Sequence, residues 1–127
     1  MDLDVVIVNW NSGTCLSRLL TTLEPLFSEV GKVIVVDNAS EDDSTRIARS
    51  FSRVSVSESK RNLGFAAAAN HGILYSESGF VLLLNPDVEV GAESVRQLFQ
   101  RQRRLSRTAV GCVRLVNPDG TDQEAFQ

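Results

Sequence analysis

The chain is poor in the residues that staple, break or charge a protein. Its 127 residues include two cysteines, three prolines, one tryptophan and one histidine. Cys15 and Cys112 lack metal-ligand spacing and cannot form a disulfide framework; they read as small buried apolar residues in a reducing compartment. His71 has no second His or Cys at ligand spacing, so it reads as an ordinary helix residue. Three prolines, eight glycines and no repeat exclude collagen-like and low-complexity chains. No apolar run approaches the ~20 residues that span a bilayer, and the opening Met-Asp-Leu-Asp is no secretory signal. Thirteen basic residues against sixteen acidic ones give a net charge of −3, which argues against a sequence-independent nucleic-acid binder.

What is present suits one domain over residues 1–127, since 43% of the chain is apolar and no linker divides it. Residues 3–8 are apolar and β-branched almost without a break, as expected of a strand covered on both faces. Leu16, Leu19, Leu20, Leu23 and Phe27 recur at helical spacing, with Pro25 bending or ending that helix near Glu24. Residues 33–36 form a second buried run. Ser40 and Asp43 resemble a capping box for a helix over 41–51, with Ile47 and Phe51 facing inward. Residues 54–57 alternate like an edge strand, and an Ala-rich helix spans 65–76. Residues 80–84 form the most apolar strand, expected at the centre of the sheet. A helix over 92–104, a strand over 109–116 and a turn at 117–120 complete the pattern. Strand and helix alternate throughout, so the fold class is α/β, a mostly parallel sheet with helices on both faces.

Ligands of such sheets sit beyond the carboxyl ends of the strands, where the strand order reverses. Four strands of this chain end there in polar clusters, at residues 9–12, 37–40, 59–62 and 85–87. Each cluster has two readings. Asp37 either caps the next helix or accepts the imide N–H of a uracil or thymine ring. Asn85-Pro-Asp87 is either a strand-exit turn or a place for Asp87 to hold a hard divalent cation. Lys60 and Arg61 are either a solvated pair or partners of phosphate. Trp10 is either core or a stacking platform.

In combination these clusters resemble the N-terminal half of family 2 glycosyltransferases, and within them the rhamnosyltransferase-like enzymes of bacterial cell-surface polysaccharide synthesis. The resemblance rests on Val5-Val-Ile-Val-Asn-Trp-Asn11, Val35-Val-Asp-Asn-Ala-Ser40, Arg61-Asn-Leu-Gly-Phe65 with Ala69-Asn70, Leu83-Leu-Asn-Pro-Asp87 and Leu115-Val-Asn-Pro-Asp-Gly120. It implies a Rossmann-like GT-A fold that takes a dTDP- or UDP-linked sugar. By position, Val8, Asn9, Trp10, Asp37, Arg61, Asn62 and Asn85 fall on nucleotide-binding places, and Asp87 falls on the metal position for Mg²⁺ or Mn²⁺. The family's first metal-motif acid is Asn85 here, leaving one carboxylate instead of two, so weak metal binding without the donor diphosphate is expected.

The same resemblance implies inverting transfer to a polysaccharide or lipid-linked acceptor by a cytoplasmic enzyme at the inner face of the membrane. The general base belongs to the acceptor side, expected beyond Gln127; Asp122 and Glu124 read as hairpin residues instead. The chain is therefore expected to bind donor with little transfer alone, and to self-associate through edges left uncovered. The arginines at 96, 101, 103, 104 and 107 are either a solvated helix face or a contact for anionic lipid. Two other classes fit poorly. A receiver domain would need an acidic pair where Asn9-Trp-Asn11 stands, and a dinucleotide oxidoreductase would need G-x-G-x-x-G there. A non-catalytic nucleotide-binding module stays open as the alternative.

Overall fold

The computed structural model describes residues 1–105 and 109–123. Its elements run β1 (Leu3–Asn9), α1 (Gly13–Leu23), a 3-10 turn (Glu24–Leu26), β2 (Val33–Asp37), α2 (Ser44–Arg49), β3 (Val54–Glu58), α3 (Phe65–Leu74), β4 (Phe80–Leu84) and α4 (Ala92–Arg103). The four strands are all parallel, in the order β3-β2-β1-β4.

Period-two alternation sorts the strand residues into two cores. Leu3, Val5, Ile7, Val33 and Val35 meet Leu16, Leu19, Leu20 and Leu23 of α1, Ala48 of α2, and Val95 and Phe99 of α4. On the opposite face Val6, Val8, Ile34 and Val36 meet Ala68 and Ala69 of α3. Every residue of β1 and β2 is therefore buried, which is why those runs are almost purely apolar. Helix α3 comes close to the sheet because Gly72 carries no side chain; a Cβ there would overlap Val6 Cγ1 and lie 2.9 Å from Val36 Cγ2. Pro25 follows α1 and tightens the chain into the 3-10 turn, as its position predicts.

Beneath the sheet, at its amino rim, Asp4 is buried in the second position of β1. Its carboxylate accepts from Lys32 N at 2.7 Å, Ser76 Oγ at 2.8 Å, Glu77 N at 2.8 Å, Ser78 Oγ at 2.8 Å and Ser78 N at 3.2 Å. Burial pushes this carboxyl upward, but the bonds from Glu77, Ser78, Ser76 and Lys32 outweigh it and hold the pKa at about 2. Those bonds tie the α3–β4 connection to β1. They therefore help fix the register in which Leu3 faces Phe80 and Ile7 faces Leu84, and with it the point where the chain leaves β4.

Four expectations need correction. Strand β4 lies at an edge of the sheet and is only half-buried. Its Phe80, Leu82 and Leu84 pack into the core under α1 and α4 and Val81 against the other core, while Leu83 stays exposed; apolar composition by itself does not tell an edge from a centre. Helix α2 begins at Ser44 rather than Glu41, and Ser40 forms no capping box, because its hydroxyl is drawn to Asp37. Residues 109–116 form no strand among the described residues; only Val116 bridges, antiparallel to Asp122, across a turn where Gly120 N donates to Asn117 O at 2.9 Å. The hairpin reading of Asp122 agrees with that bridge, while Glu124 lies outside the described residues. Finally, Cys15 is half-buried and Cys112 exposed, since the segment that would have buried Cys112 is irregular.

The arginine stretch divides. Arg96 clamps Glu29 through Nε at 3.0 Å and Nη2 at 2.6 Å and also reaches Glu93, tying α4 to the turn after α1. The Arg96 guanidinium draws the Glu29 carboxyl below its ordinary range, and Glu29 raises Arg96 in return. Arg101, Arg103 and Arg104 are exposed, with Arg103 over the Phe99 ring; Arg107 lies outside the described residues. No helix among the described residues is long and apolar enough to cross a membrane.

Candidate functional site

Strand β1 hands the chain to β2 on one side and receives β4 on the other, so the order reverses at β1. The exits of β1, β2 and β4 share the carboxyl rim. Asp37 ends β2 and Asp87 follows β4, so the two leave the same rim from strands on either side of β1.

On the β1–β2 side the exit loops are laced together. Asn9 and Asp37 are register partners on the same face. Asn9 Nδ2 donates to Asp37 Oδ1 at 2.9 Å and to Ser40 Oγ at 3.2 Å. Ser40 in turn donates to Asp37 through Oγ at 2.6 Å and through its backbone N at 2.9 Å. Asn11 N donates to Ser40 Oγ at 2.8 Å, Glu41 N to Asn11 Oδ1 at 2.7 Å, and Gly13 N to Asp42 Oδ2 at 2.9 Å. Burial raises Asp42 while its bonds from Ser44 and Gly13 prevail and lower it. Two non-glycine residues sit at positive φ in these loops, Asn11 at 48° and Ala39 at 65°. Asn tolerates that region, whereas Ala pays of order 1–2 kcal/mol there, a strain the lacing sustains.

One atom in this network is left over. Asn9 is fully buried, and its Oδ1 has no hydrogen-bond partner. A buried acceptor without a donor is costly, by about 1–3 kcal/mol.

Asn38, also buried, turns to the next loop. Its Oδ1 accepts from Leu63 N at 2.8 Å, and its Nδ2 donates to Asn62 Oδ1 at 2.9 Å and Gly64 O at 3.3 Å. Gly64, at φ 80°, leads into α3. Lys60, Arg61 and Asn62 are exposed on this loop.

The remaining sequence candidates are spread along the rim. Trp10 stands 55% exposed at the β1 exit, a surface ring and not a core one. Val8 packs into the α3-side core. Asn85 and Asp87 are exposed at the β4 exit and border a groove of about 630 Å³ between β4, α4 and residues 113–123. Asp87 also lines a smaller cavity of about 180 Å³ with Cys15, Arg18 and Glu89. Arg18 pairs with Glu89 at 3.0 Å, which leaves Asp87 as the carboxylate of that loop without an ion-pair partner among the described residues. His71 lies on α3, bonded to Ser57 Oγ at 2.9 Å and edge-on to Tyr75, away from these loops.

The structure thus joins Asn9 to Asp37 and brings Asn62 under Asn38, while Asn85 and Asp87 form a separate group across β1. Asn11, Asn38 and Asp42 are not individual site candidates from the sequence, and Ser40 reads there as a helix cap. Their signal was the density of Asn, Ser and Asp at two strand ends, which does not say which side chains turn inward.

No group of three or more His, Cys, Asp or Glu side chains among the described residues makes a metal cage. The donor set at the β4 exit, one free carboxylate and one carboxamide, does fit a hard cation that shares its remaining positions with water and phosphate oxygens.

A parallel α/β sheet with its polar residues at the switch point defines the class: a Rossmann-like α/β fold. The chain belongs to glycosyl transferase family 2, whose model matches residues 4–127. It is 30% identical over 123 residues to the low-salt glycan biosynthesis hexosyltransferase of Haloferax volcanii, covering 94% of this chain and 38% of that protein. It is 28% identical to the N-acetylglucosaminyl-diphospho-decaprenol L-rhamnosyltransferase of Mycobacterium tuberculosis, covering 94% of this chain and 43% of that one. The fold is shared with S. aureus TarS in complex with UDP (TM-score 0.73, 23% identity, 82% of this chain and 32% of that chain). It is shared equally with the mannosyltransferase of Pyrobaculum calidifontis in complex with GDP-Man and Mn2+ (TM-score 0.73, 19% identity, 90% and 36%). These are GT-A structures, of which this chain spans only part. It spans less than half the length of the curated relatives it matches.

Proposed function

We propose that the chain is the donor-binding portion of an inverting glycosyltransferase that takes a pyrimidine nucleoside diphosphate sugar. What supports this reading above all is that a chain belonging to glycosyl transferase family 2 carries Asn9, Trp10, Asp37, Arg61 and Asn62 at the exits of successive strands of its parallel sheet. The nucleoside lies at the β1 exit against Val8, Asn9, Trp10 and Asp37, with Trp10 offering an exposed ring to the base. In this reading Asp37 accepts the imide N–H that uracil and thymine possess once the laced β1–β2 exit opens, since Asn9 and Asp37 are both buried as the chain stands. Arg61 and Asn62 take phosphate oxygens.

Asp87, with Asn85, would hold Mg²⁺ or Mn²⁺. When bound, such a cation offsets charge on the departing diphosphate. The sugar is rhamnose or a related hexose, a reading favoured by the names of the rhamnosyltransferase and hexosyltransferase relatives. The acceptor is a polysaccharide or a lipid-linked glycan at the inner face of a membrane. We assign the base that deprotonates it to the additional length those relatives possess.

Calorimetric titration with UDP, dTDP and GDP, with and without Mn²⁺, tests the reading. UDP or dTDP is expected to bind more tightly than GDP, and Mn²⁺ to strengthen binding in the native chain but not in Asp87→Ala. Equal or tighter GDP binding would remove the base assignment, and unchanged affinity in Asp87→Ala would remove the metal role. Steady glycosyl transfer by the 127-residue chain would overturn its assignment as a donor-binding portion alone.

A further inference from the structure

Carboxamide orientation is ambiguous in isolation, because its oxygen and nitrogen have the same shape. Around the β3–α3 loop the backbone removes the ambiguity. A main-chain N–H can only donate, so the Asn38 atom 2.8 Å from Leu63 N must be its oxygen. Its nitrogen then faces Asn62 and the Gly64 carbonyl, and the Asn62 atom it meets at 2.9 Å must be an oxygen. Gly64 N reaches the same Asn62 oxygen at 2.8 Å and demands that orientation independently. The loop base is anchored as well, since Ser59 N donates to Asp37 O at 2.8 Å.

The consequence lies on the other side of Asn62. With its oxygen tied inward by two donors, its Nδ2 is left without a partner among the described residues, on an exposed side chain. Its neighbours Lys60 and Arg61 are exposed and have no carboxylate partner among the described residues. Three consecutive exposed side chains therefore carry donors only: an ammonium, a guanidinium and an amide N–H₂. Such a set suits oxygen acceptors bearing negative charge and offers nothing to a ligand's N–H.

We infer that Asn38 is a positioning residue which, by fixing the Asn62 carboxamide, makes the side chains of residues 60–62 a donor-only arm for the phosphate oxygens of the donor nucleotide, while recognition of the base falls to the β1–β2 side. This rests on the functional reading above and divides its site into two chemically opposite parts. Buried Asn38 touches no ligand; it acts through Asn62.

Asn62→Asp separates the possibilities, because it preserves the inward oxygen that Asn38 Nδ2 and Gly64 N require and replaces the outward donor by a carboxylate oxygen. Melting temperature, and affinities for uridine, UDP and inorganic pyrophosphate, are measured on the native chain, Asn62→Asp and Asn38→Ala. Asn62→Asp is expected to melt with the native chain, to bind uridine within about twofold of it, and to lose about tenfold or more in UDP and pyrophosphate affinity, since a donor to charged oxygen is replaced by a like charge. Asn38→Ala is expected to show the same selective loss, smaller in size, as the Asn62 amide becomes free to turn. Unchanged UDP affinity in Asn62→Asp, or a parallel loss of uridine and UDP in Asn38→Ala, overturns the inference and leaves the functional reading standing. If the native chain binds pyrophosphate but neither UDP nor uridine, the functional reading fails, and with it the assignment of the loop to a nucleotide's phosphates, leaving an anion site only. If it binds none of the three, both fall.

Discussion

Asn9 and Asp37 end adjacent parallel strands in direct register, amide nitrogen to carboxylate oxygen at 2.9 Å, both nearly or wholly shut off from solvent. The bond does two things at once. It gives a buried carboxylate a donor, and it forces the amide oxygen of Asn9 to point elsewhere, where it has no partner.

Asp37→Ala should therefore damage both stability and binding. Asn9 Nδ2 and the Ser40 donors lose their acceptor, and leaving such buried groups unmatched costs about 1–3 kcal/mol. Asp37→Asn keeps the shape but must turn its own N–H₂ toward one of those donors. We expect urea midpoints in the order native, Asp37→Asn, Asp37→Ala, and weaker dTDP binding in both variants. A native midpoint in Asp37→Ala would show that the lacing carries no load.

Asp4 predicts an acid transition. Its folded pKa, about 2, lies below the ordinary 3.8, so the folded state holds the carboxylate more strongly than the unfolded chain does. Stability from this group is complete above about pH 4 and is lost as pH falls toward 2, up to about 2 kcal/mol in all. Denaturant midpoints measured between pH 6 and pH 2 should fall most steeply in that window. Asp4→Asn, which cannot titrate, should be less stable at pH 6 and show a shallower fall. Equal slopes in the two proteins would rule Asp4 out as the cause.

Gly72 predicts a packing defect with no new charge. Ala is the better helix former by about 1 kcal/mol, yet its methyl would collide with Val6 and crowd Val36. Overpacking of this kind costs about 1–3 kcal/mol, so Gly72→Ala should lower the melting temperature despite the gain in helix propensity. Gly72→Ala combined with Val6→Ala should cost less than the sum of the two single losses, and strict additivity would place the strain elsewhere.

Much of the architecture was legible because its physics is local or periodic. The unbroken β-branched runs of β1 and β2, the helical stripe of α1 and the break at Pro25 each carry their own signature. The edge position of β3 was legible too, since only one of its faces needed apolar residues. The position of β4 was not, because half-burial by helices and burial between strands demand the same side chains. Residues 109–116 have the composition of a strand, but a strand also needs a partner edge, and composition does not name one.

The rim divides along the same line. The amino-acid order alone placed Asn, Asp, Lys and Arg after successive strands, and chain alternation then obliged those residues to gather at one end of a parallel sheet. Which of them turned inward was decided only on folding. Asp37 became a buried partner of Asn9, Asn38 became the anchor of Asn62, and Trp10 stayed at the surface. Hydrogen bonds between residues some 24–31 positions apart made that choice, and no local pattern encodes a donor's preference among several acceptors it meets only when the strands pair.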